Sequence, residues 1–297
     1  MRKEPRNLGF VKAYAKINLY LEINKKLSNG YHEIDSLIAF TDIYDTLTFK
    51  ISDKIKLKLV GPHKNQFNEL DNNLIIKAAK FIQNILNTKL GVEITLNKKI
   101  PIAAGLGGGS SNAATTILQC INLWQPNEKI TINNKQIAYA LGADVPIFLN
   151  ARSSIIKGIG DSFKPLPYLP ASWILIINPN VQIITKDIFT SFTGPYKKNN
   201  YINSIDQIID FSSLVFFLKN RENSLTNTVI KKNPIVKEVL DELNNTDAAK
   251  IVRMSGSGPS CFALYSNKQE MNIAYNYIKN KKPLWWLKKS ALRLKIS

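Results

Sequence analysis

The chain has 297 residues, 44% of them hydrophobic, which excludes an intrinsically disordered chain and allows a full core, with two domains expected for this length. A formal net charge of +18 points to an anionic ligand or to nucleic acid, yet the lysines are spread along the whole chain. The two cysteines, Cys120 and Cys261, lack metal-ligand spacing and are too few for a disulfide framework, so reduced thiols in a cytoplasmic protein are expected.

Residues 11–23 alternate as a strand, with Val11, Ala13, Ala15, Ile17, Leu19, Leu21 and Ile23 in phase. Lys12 and Lys16 interrupt this hydrophobic stretch, so the basic N-terminus is not followed by the apolar run of a secretory signal. Ser28-Asn29-Gly30 marks a turn, and residues 33–49 and 55–60 carry further strand patterns. Leu74, Ala78, Phe81, Ile82 and Ile85 recur at helical steps and predict a helix over 73–86. A strand over 91–96, with Val92, Ile94 and Leu96 on one face, leads to a glycine-rich loop. Helices follow over 110–123 and 136–141, the second ending at Gly142.

Gly158, Gly160, Pro165, Pro167 and Pro170 cluster in a loop region that marks the domain boundary, giving domains of 1–160 and 161–297. Beyond it lie a buried strand over 173–177, a mostly helical stretch over 211–243, a strand–turn–strand over 250–265 and a helix over 271–279. Strands and helices mix without a strict βαβ repeat, which favours α+β over a doubly wound sheet. The longest apolar stretches are far too short to cross a bilayer. One dense basic patch, Lys281, Lys282, Lys288 and Lys289 with Trp285 and Trp286 inside it, closes the chain.

The strongest chemical signal is Pro101, Ile102, Ala103, Ala104, Gly105, Leu106, Gly107, Gly108, Gly109, Ser110 and Ser111, between a strand and a helix. Adjacent glycines let main-chain N–H groups approach an anion, and the following helix turns its positive end toward the same place. The two serines can touch phosphate, a metal ion or the helix cap. The spacing is that of neither a Walker A loop nor a dinucleotide fingerprint. Lys16 and Asn18 stand two apart on a strand and share a face. Residues 254–260, Met-Ser-Gly-Ser-Gly-Pro-Ser, form a second small-residue loop between two apolar strands. Asp144, in Leu141-Gly-Ala-Asp-Val-Pro-Ile-Phe148, is a carboxylate among small and apolar neighbours, a setting that can make a base.

Taken in order from about residue 13 to residue 265, these segments resemble the family of galactokinase, homoserine kinase, mevalonate kinase and phosphomevalonate kinase. Gly30-Tyr31-His32, together with Ala15 to Leu19 and Gly142 to Pro146, narrows the resemblance. It points to members that phosphorylate the 2-hydroxyl of a cytidine-diphosphate-linked methylerythritol in non-mevalonate isoprenoid synthesis. The resemblance implies an N-terminal domain like ribosomal protein S5 domain 2, a ferredoxin-like C-terminal domain and an active site in the cleft between them. It implies ATP as phosphoryl donor, with Mg²⁺. Asp144 would take the proton of the attacking hydroxyl, and Lys16 would hold Asp144 ionised and offset transition-state charge. Asn18 would orient substrate or Asp144, and residues 101–111 would wrap the phosphates.

In the same reading His32 would hydrogen-bond the cytosine edge, Tyr31 would stack on its face, and Phe189, after 181–185 with Thr185, would cover the opposite face. Two positions depart from the family pattern: Asn112 and Asn227-Thr228 stand where carboxylates are common, so no protein metal ligand is expected there and phosphates and water would hold the metal. Two rival readings are a related kinase with another alcohol as acceptor, mevalonate or homoserine kinase-like, and a remote one, an RNA-binding protein. The second lacks an aromatic RNA-reading motif, so neither nucleic acid nor membrane is expected as a partner.

Overall fold

The computed structural model describes residues 7–66, 73–125, 130, 132–197 and 205–296. The first half carries strands β1 (Asn7–Lys26), β2 (His32–Ser52) and β3 (Lys56–Val60), helix α1 (Leu74–Ile85) and strand β4 (Gly91–Asn97). Helices α2 (Gly108–Trp124), α3 (Asn134–Leu141) and α4 (Val145–Asn150) follow. Next come β5 (Ser154–Gly158), β6 (Ser162–Pro165), β7 (Trp173–Asn178) and α5 (Thr185–Thr190). Then come α6 (Phe211–Lys219), α7 (Thr226–Lys232), α8 (Ile235–Asn244), β8 (Ile251–Met254), β9 (Cys261–Tyr265), α9 (Lys268–Lys281) and β10 (Trp286–Arg293). Among the described residues no helix is long and apolar enough to cross a membrane.

Packing divides the chain into two compact units. One comprises Met1–Ala15, Tyr44–Ile102 and Gly107–Ala151; the other comprises Lys16–Ile43, Ala103–Leu106 and Arg152–Ser297. In the first unit, β4 pairs antiparallel with the end of β2, from Thr46 opposite Asn97 to Ser52 opposite Gly91, and β3 runs parallel to β4. The period-two pattern of β4 holds: Val92, Ile94 and Leu96 are fully buried, each worth roughly 1.5–3 kcal/mol of apolar burial.

Helix α1 starts at Asn73, whose side chain accepts from the N–H of Ile75. Its buried face is Ile75, Ile76, Ala78, Ala79 and Ile82. The expected stripe is thus rotated, leaving Ile85 at 42% exposure, because the face set by packing against α2 outweighs the face with the longest side chains. Helix α3 ends as predicted at Gly142, whose φ is +109°.

In the second unit the strands run β8-β9-β7-β10, and every neighbouring pair in that order is antiparallel. β10 continues to the first part of β2 through Leu292 and Arg293, and β2 is followed by β5 and then β6. From β7 onward the elements read strand, helices, two strands, helix, strand. Their core gathers Leu175, Ile177, Val236, Val239, Ala263, Tyr265, Ala274 and Ile278.

Two local expectations change. The stretch 158–170 is not simply a loop, because 162–165 pairs with β5 as a hairpin strand. The basic C-terminal patch is not one surface. Lys281 and Lys282 end α9 and pair with Glu242 and Glu238, whereas Lys288 and Lys289 lie on β10, inside the sheet. Leu287, Ser290 and Leu292 are buried, but Leu287 is out of phase with the other two, so no clean period of two announces this strand.

Candidate active site

In the second unit β1 is buried on both faces from Lys16 through Ile23, so Lys16 and Asn18 are not solvated strand residues. Their exposures are 5% and 3%. Lys16 Nζ donates to Asn18 Oδ1 at 2.5 Å, and Asn18 Nδ2 donates to Ser36 Oγ at 2.8 Å. The main chain of Lys16 donates to the carbonyl of Leu106 at 3.0 Å, which ties this strand to the first part of the glycine loop.

The loop 254–260 joins the same assembly. Ser255 Oγ accepts from the Asn18 N–H at 3.1 Å and donates to the Gly105 carbonyl at 3.0 Å. Gly105 has φ +72°, and a Cβ there would lie 2.5 Å from the Ser255 carbonyl and 2.8 Å from that of Gly258. Only glycine fits this crossing of two backbones. Asn223 locks the second loop from beneath, donating to the carbonyls of Met254 and Gly256, both at 2.8 Å. Asn223 was not singled out from the sequence. Asn227 is exposed on α7, and it is the upstream asparagine that does this work.

His32, at the start of β2, is 6% exposed, with its ring centroid 5.7 Å from Phe189 and 6.0 Å from Phe192. Among the described residues nothing hydrogen-bonds its Nε2. Burial, helped by nearby Lys26, pushes its pKa below the ordinary histidine value, so the ring is neutral at neutral pH. Tyr31 beside it is 61% exposed. Thr185 opens α5, the helix that carries Phe189, and its hydroxyl shares a 2.8 Å hydrogen bond with Ser257. The structure therefore brings together Lys16 and Asn18 with Ala103 to Leu106, His32 with Phe189, and Thr185 with the second loop.

The first unit holds the rest of the glycine loop. Pro101 is buried and Ile102 half-buried, and α2 begins after Gly107, a left-handed residue with φ +67° and no side chain to cap the helix. The N–H groups of the first turn, at Gly108, Gly109 and Ser110, thus have no side-chain cap. Ser110 is half-buried and Ser111 is buried. Asp144 stands half-buried at the N-cap of α4 but makes no side-chain capping bond, so it is not placed there to cap the helix.

Beneath this helix start lies a cluster the sequence did not announce. Lys98 Nζ, fully buried, donates to Asp45 Oδ2 at 2.5 Å. The other oxygen of Asp45 accepts from the N–H groups of Lys99 at 2.7 Å and Ile100 at 2.9 Å, holding the residues that enter the loop. Burial pulls the Lys98 pKa down, and Asp45 opposes that. Asn112 Nδ2 donates to Asp45 Oδ2 at 3.1 Å. A carboxylate at position 112 would face Asp45 at that distance, which is the physical reason an amide suits this chain. The available signal was a lysine just before the Pro101 loop and an aspartate inside a strand pattern, too common to single out. Among the described residues no group of three or more His, Cys, Asp and Glu side chains could hold a metal ion.

The GHMP kinases N terminal domain matches residues 73–152, and the GHMP kinases C terminal domain matches residues 209–284. The chain is 34% identical over 280 residues to a 4-diphosphocytidyl-2-C-methyl-D-erythritol kinase of Paramagnetospirillum magneticum, covering 93% of this chain and 96% of that one. It is 37% identical over 276 residues to the enzyme of the same name from Thermodesulfovibrio yellowstonii, covering 90% and 93%. A crystal structure of 4-(cytidine 5'-diphospho)-2C-methyl-D-erythritol kinase superposes with a TM-score of 0.76 at 27% identity, over 96% of this chain and 99% of that one. Homoserine kinase from Cytophaga hutchinsonii shares the fold, with a TM-score of 0.65 at 17% identity over 99% and 97%.

Proposed function

The chain belongs to the GHMP kinase family, and on that premise we propose that it transfers the γ-phosphate of ATP to the 2-hydroxyl of 4-diphosphocytidyl-2-C-methyl-D-erythritol. Relatives of that name match over nine-tenths of the chain or more. The observation that carries the substrate assignment is His32, a buried neutral imidazole with an unpartnered ring nitrogen, set among Phe189, Phe192 and the exposed Tyr31. A cytosine edge supplies the missing hydrogen-bond partner, and its faces suit stacking on Tyr31 and Phe189.

The triphosphate would lie on the main-chain amides of 105–111 and the uncapped first turn of α2, where the helix dipole favours negative charge. ATP would bring Mg²⁺, which neutralises phosphate charge. Hydroxyl oxygens such as that of Ser110 are hard donors of the kind the ion accepts, with phosphates and water completing its shell. The substrate hydroxyl attacks the γ-phosphorus as the bond to the β,γ-bridging oxygen breaks, and ADP leaves. Asp144 takes the hydroxyl proton, and the Lys16 ammonium, steadied by Asn18, offsets the charge that develops. Thr185 would hold the second loop against the substrate.

The domain division at 160/161 belongs to the same proposal, with an S5-like N-terminal half and a ferredoxin-like C-terminal half. The order β8-β9-β7-β10, in a sequence of strand, helices, two strands, helix and strand, supports the ferredoxin-like reading. Two buried free thiols, Cys120 and Cys261, agree with a cytoplasmic setting.

A coupled ADP-release assay tests the function. Turnover is expected with the cytidyl-methylerythritol substrate and not with mevalonate, homoserine or galactose; preference for one of those three overturns the substrate assignment. Asp144→Ala and Lys16→Ala are each expected to lower kcat by about 10²–10⁴-fold in a folded protein. Near-normal turnover by Asp144→Ala removes the general-base role.

A further inference from the structure

Ser36 lies on β2, fully buried, four residues beyond His32, and has been given no role above. A serine hydroxyl has one proton to give and lone pairs to accept with. Ser36 Oγ donates to the carbonyl of Tyr20 at 2.6 Å, and a carbonyl can only accept. The proton is therefore committed, and the 2.8 Å contact with Asn18 requires the serine oxygen to accept from the Asn18 amide nitrogen. That fixes which way the Asn18 amide faces. Its NH₂ end points at Ser36, and its oxygen points at Lys16, whose ammonium can only donate. The chain of bonds runs one way, from the Lys16 ammonium to the Asn18 amide, the Ser36 hydroxyl and the Tyr20 carbonyl. A flipped amide would set two donors against each other at Lys16.

We infer that Ser36 is a positioning residue for Lys16, acting through Asn18 by setting the orientation of its amide. The inference rests on the proposed role of Lys16 at the reacting hydroxyl. Ser255 holds the backbone of Asn18, and Ser36 anchors the NH₂ end of its side chain, opposite the end that faces Lys16.

The test uses the full-length chain with Ser36→Ala and Ser36→Thr. Exchange of the Asn18 side-chain amide protons, followed by ¹⁵N NMR without substrate, reports the hold directly. Ser36→Ala is expected to speed that exchange about tenfold or more, since the protecting bond is lost. The same variant should lower kcat by about 10- to 100-fold, as a small displacement of a charge-stabilising group does. KM for ATP and for the cytidyl substrate should stay within about twofold. Ser36→Thr keeps the hydroxyl and is expected to restore slow exchange and kcat.

Unchanged Asn18 exchange in Ser36→Ala overturns the inference, and so does faster exchange with unaltered kcat. If Ser36→Ala does not fold, Ser36→Cys preserves the volume with a weak acceptor, and the same two readouts decide. A wild-type chain that turns over no cytidyl substrate would sink the kinase reading instead, and the exchange measurement would still uphold or overturn the hold of Ser36 on Asn18.

Discussion

Replacing Gly105 with alanine isolates the crossing of the two small-residue loops. At φ +72° the new residue enters the left-handed region, which costs a non-glycine residue about 1–2 kcal/mol. Its Cβ would also stand 2.5 Å and 2.8 Å from the carbonyl oxygens of Ser255 and Gly258. Both are backbone atoms, so relief requires one loop to move, at about 1–3 kcal/mol for such overpacking. The expected total is roughly 2–5 kcal/mol, a fall in melting temperature of about 3–8 °C for a chain of this size. Because the displaced segment carries the amides proposed for phosphate, KM for ATP should rise with it. Gly109→Ala is the control: its Cβ would meet only Leu74 Cδ1, at 3.6 Å, and its stability should change by less than about 0.5 kcal/mol. Calorimetry and initial-rate kinetics on the two variants decide. A Gly105→Ala protein that melts with wild type and keeps its KM for ATP would refute the argument that this contact shapes the loop.

Removing one partner of the buried Asp45–Lys98 pair, by Asp45→Ala or Lys98→Met, is expected to cost about 3–5 kcal/mol in urea denaturation. The apolar double variant should lose less than the sum of the singles. Two additive losses would show that the residues do not act as a pair.

His32 makes stability depend on pH in a definite direction. Its folded pKa lies below its unfolded value, so its contribution is complete above about pH 6.5 and is lost as pH falls through the depressed folded value. His32→Gln should flatten the stability profile below about pH 6.5 in chemical denaturation. An unchanged acid limb would show that the imidazole is not kept neutral by burial.

Local sequence settled much of this protein. The period of two in 91–96 and the helical steps after Asn73 are consequences of backbone geometry, and they set β4 and α1 without reference to anything distant. The glycine run before α2 and the glycine after α3 likewise announce themselves, because few residues other than glycine occupy those backbone angles cheaply. The face that α1 buries, the fate of the closing lysines and the strand nature of β10 depended on which surfaces other segments presented. The same holds at the site. Lys16 and Asn18 were legible as a pair two residues apart, but Ser36, Asn223 and Ser255 acquire meaning only because folding carries them from 18, 205 and 237 positions away from Asn18. Hydrogen-bond partners are a matter of distance in space, and a lone serine or asparagine in a chain carries no mark of the group it will face.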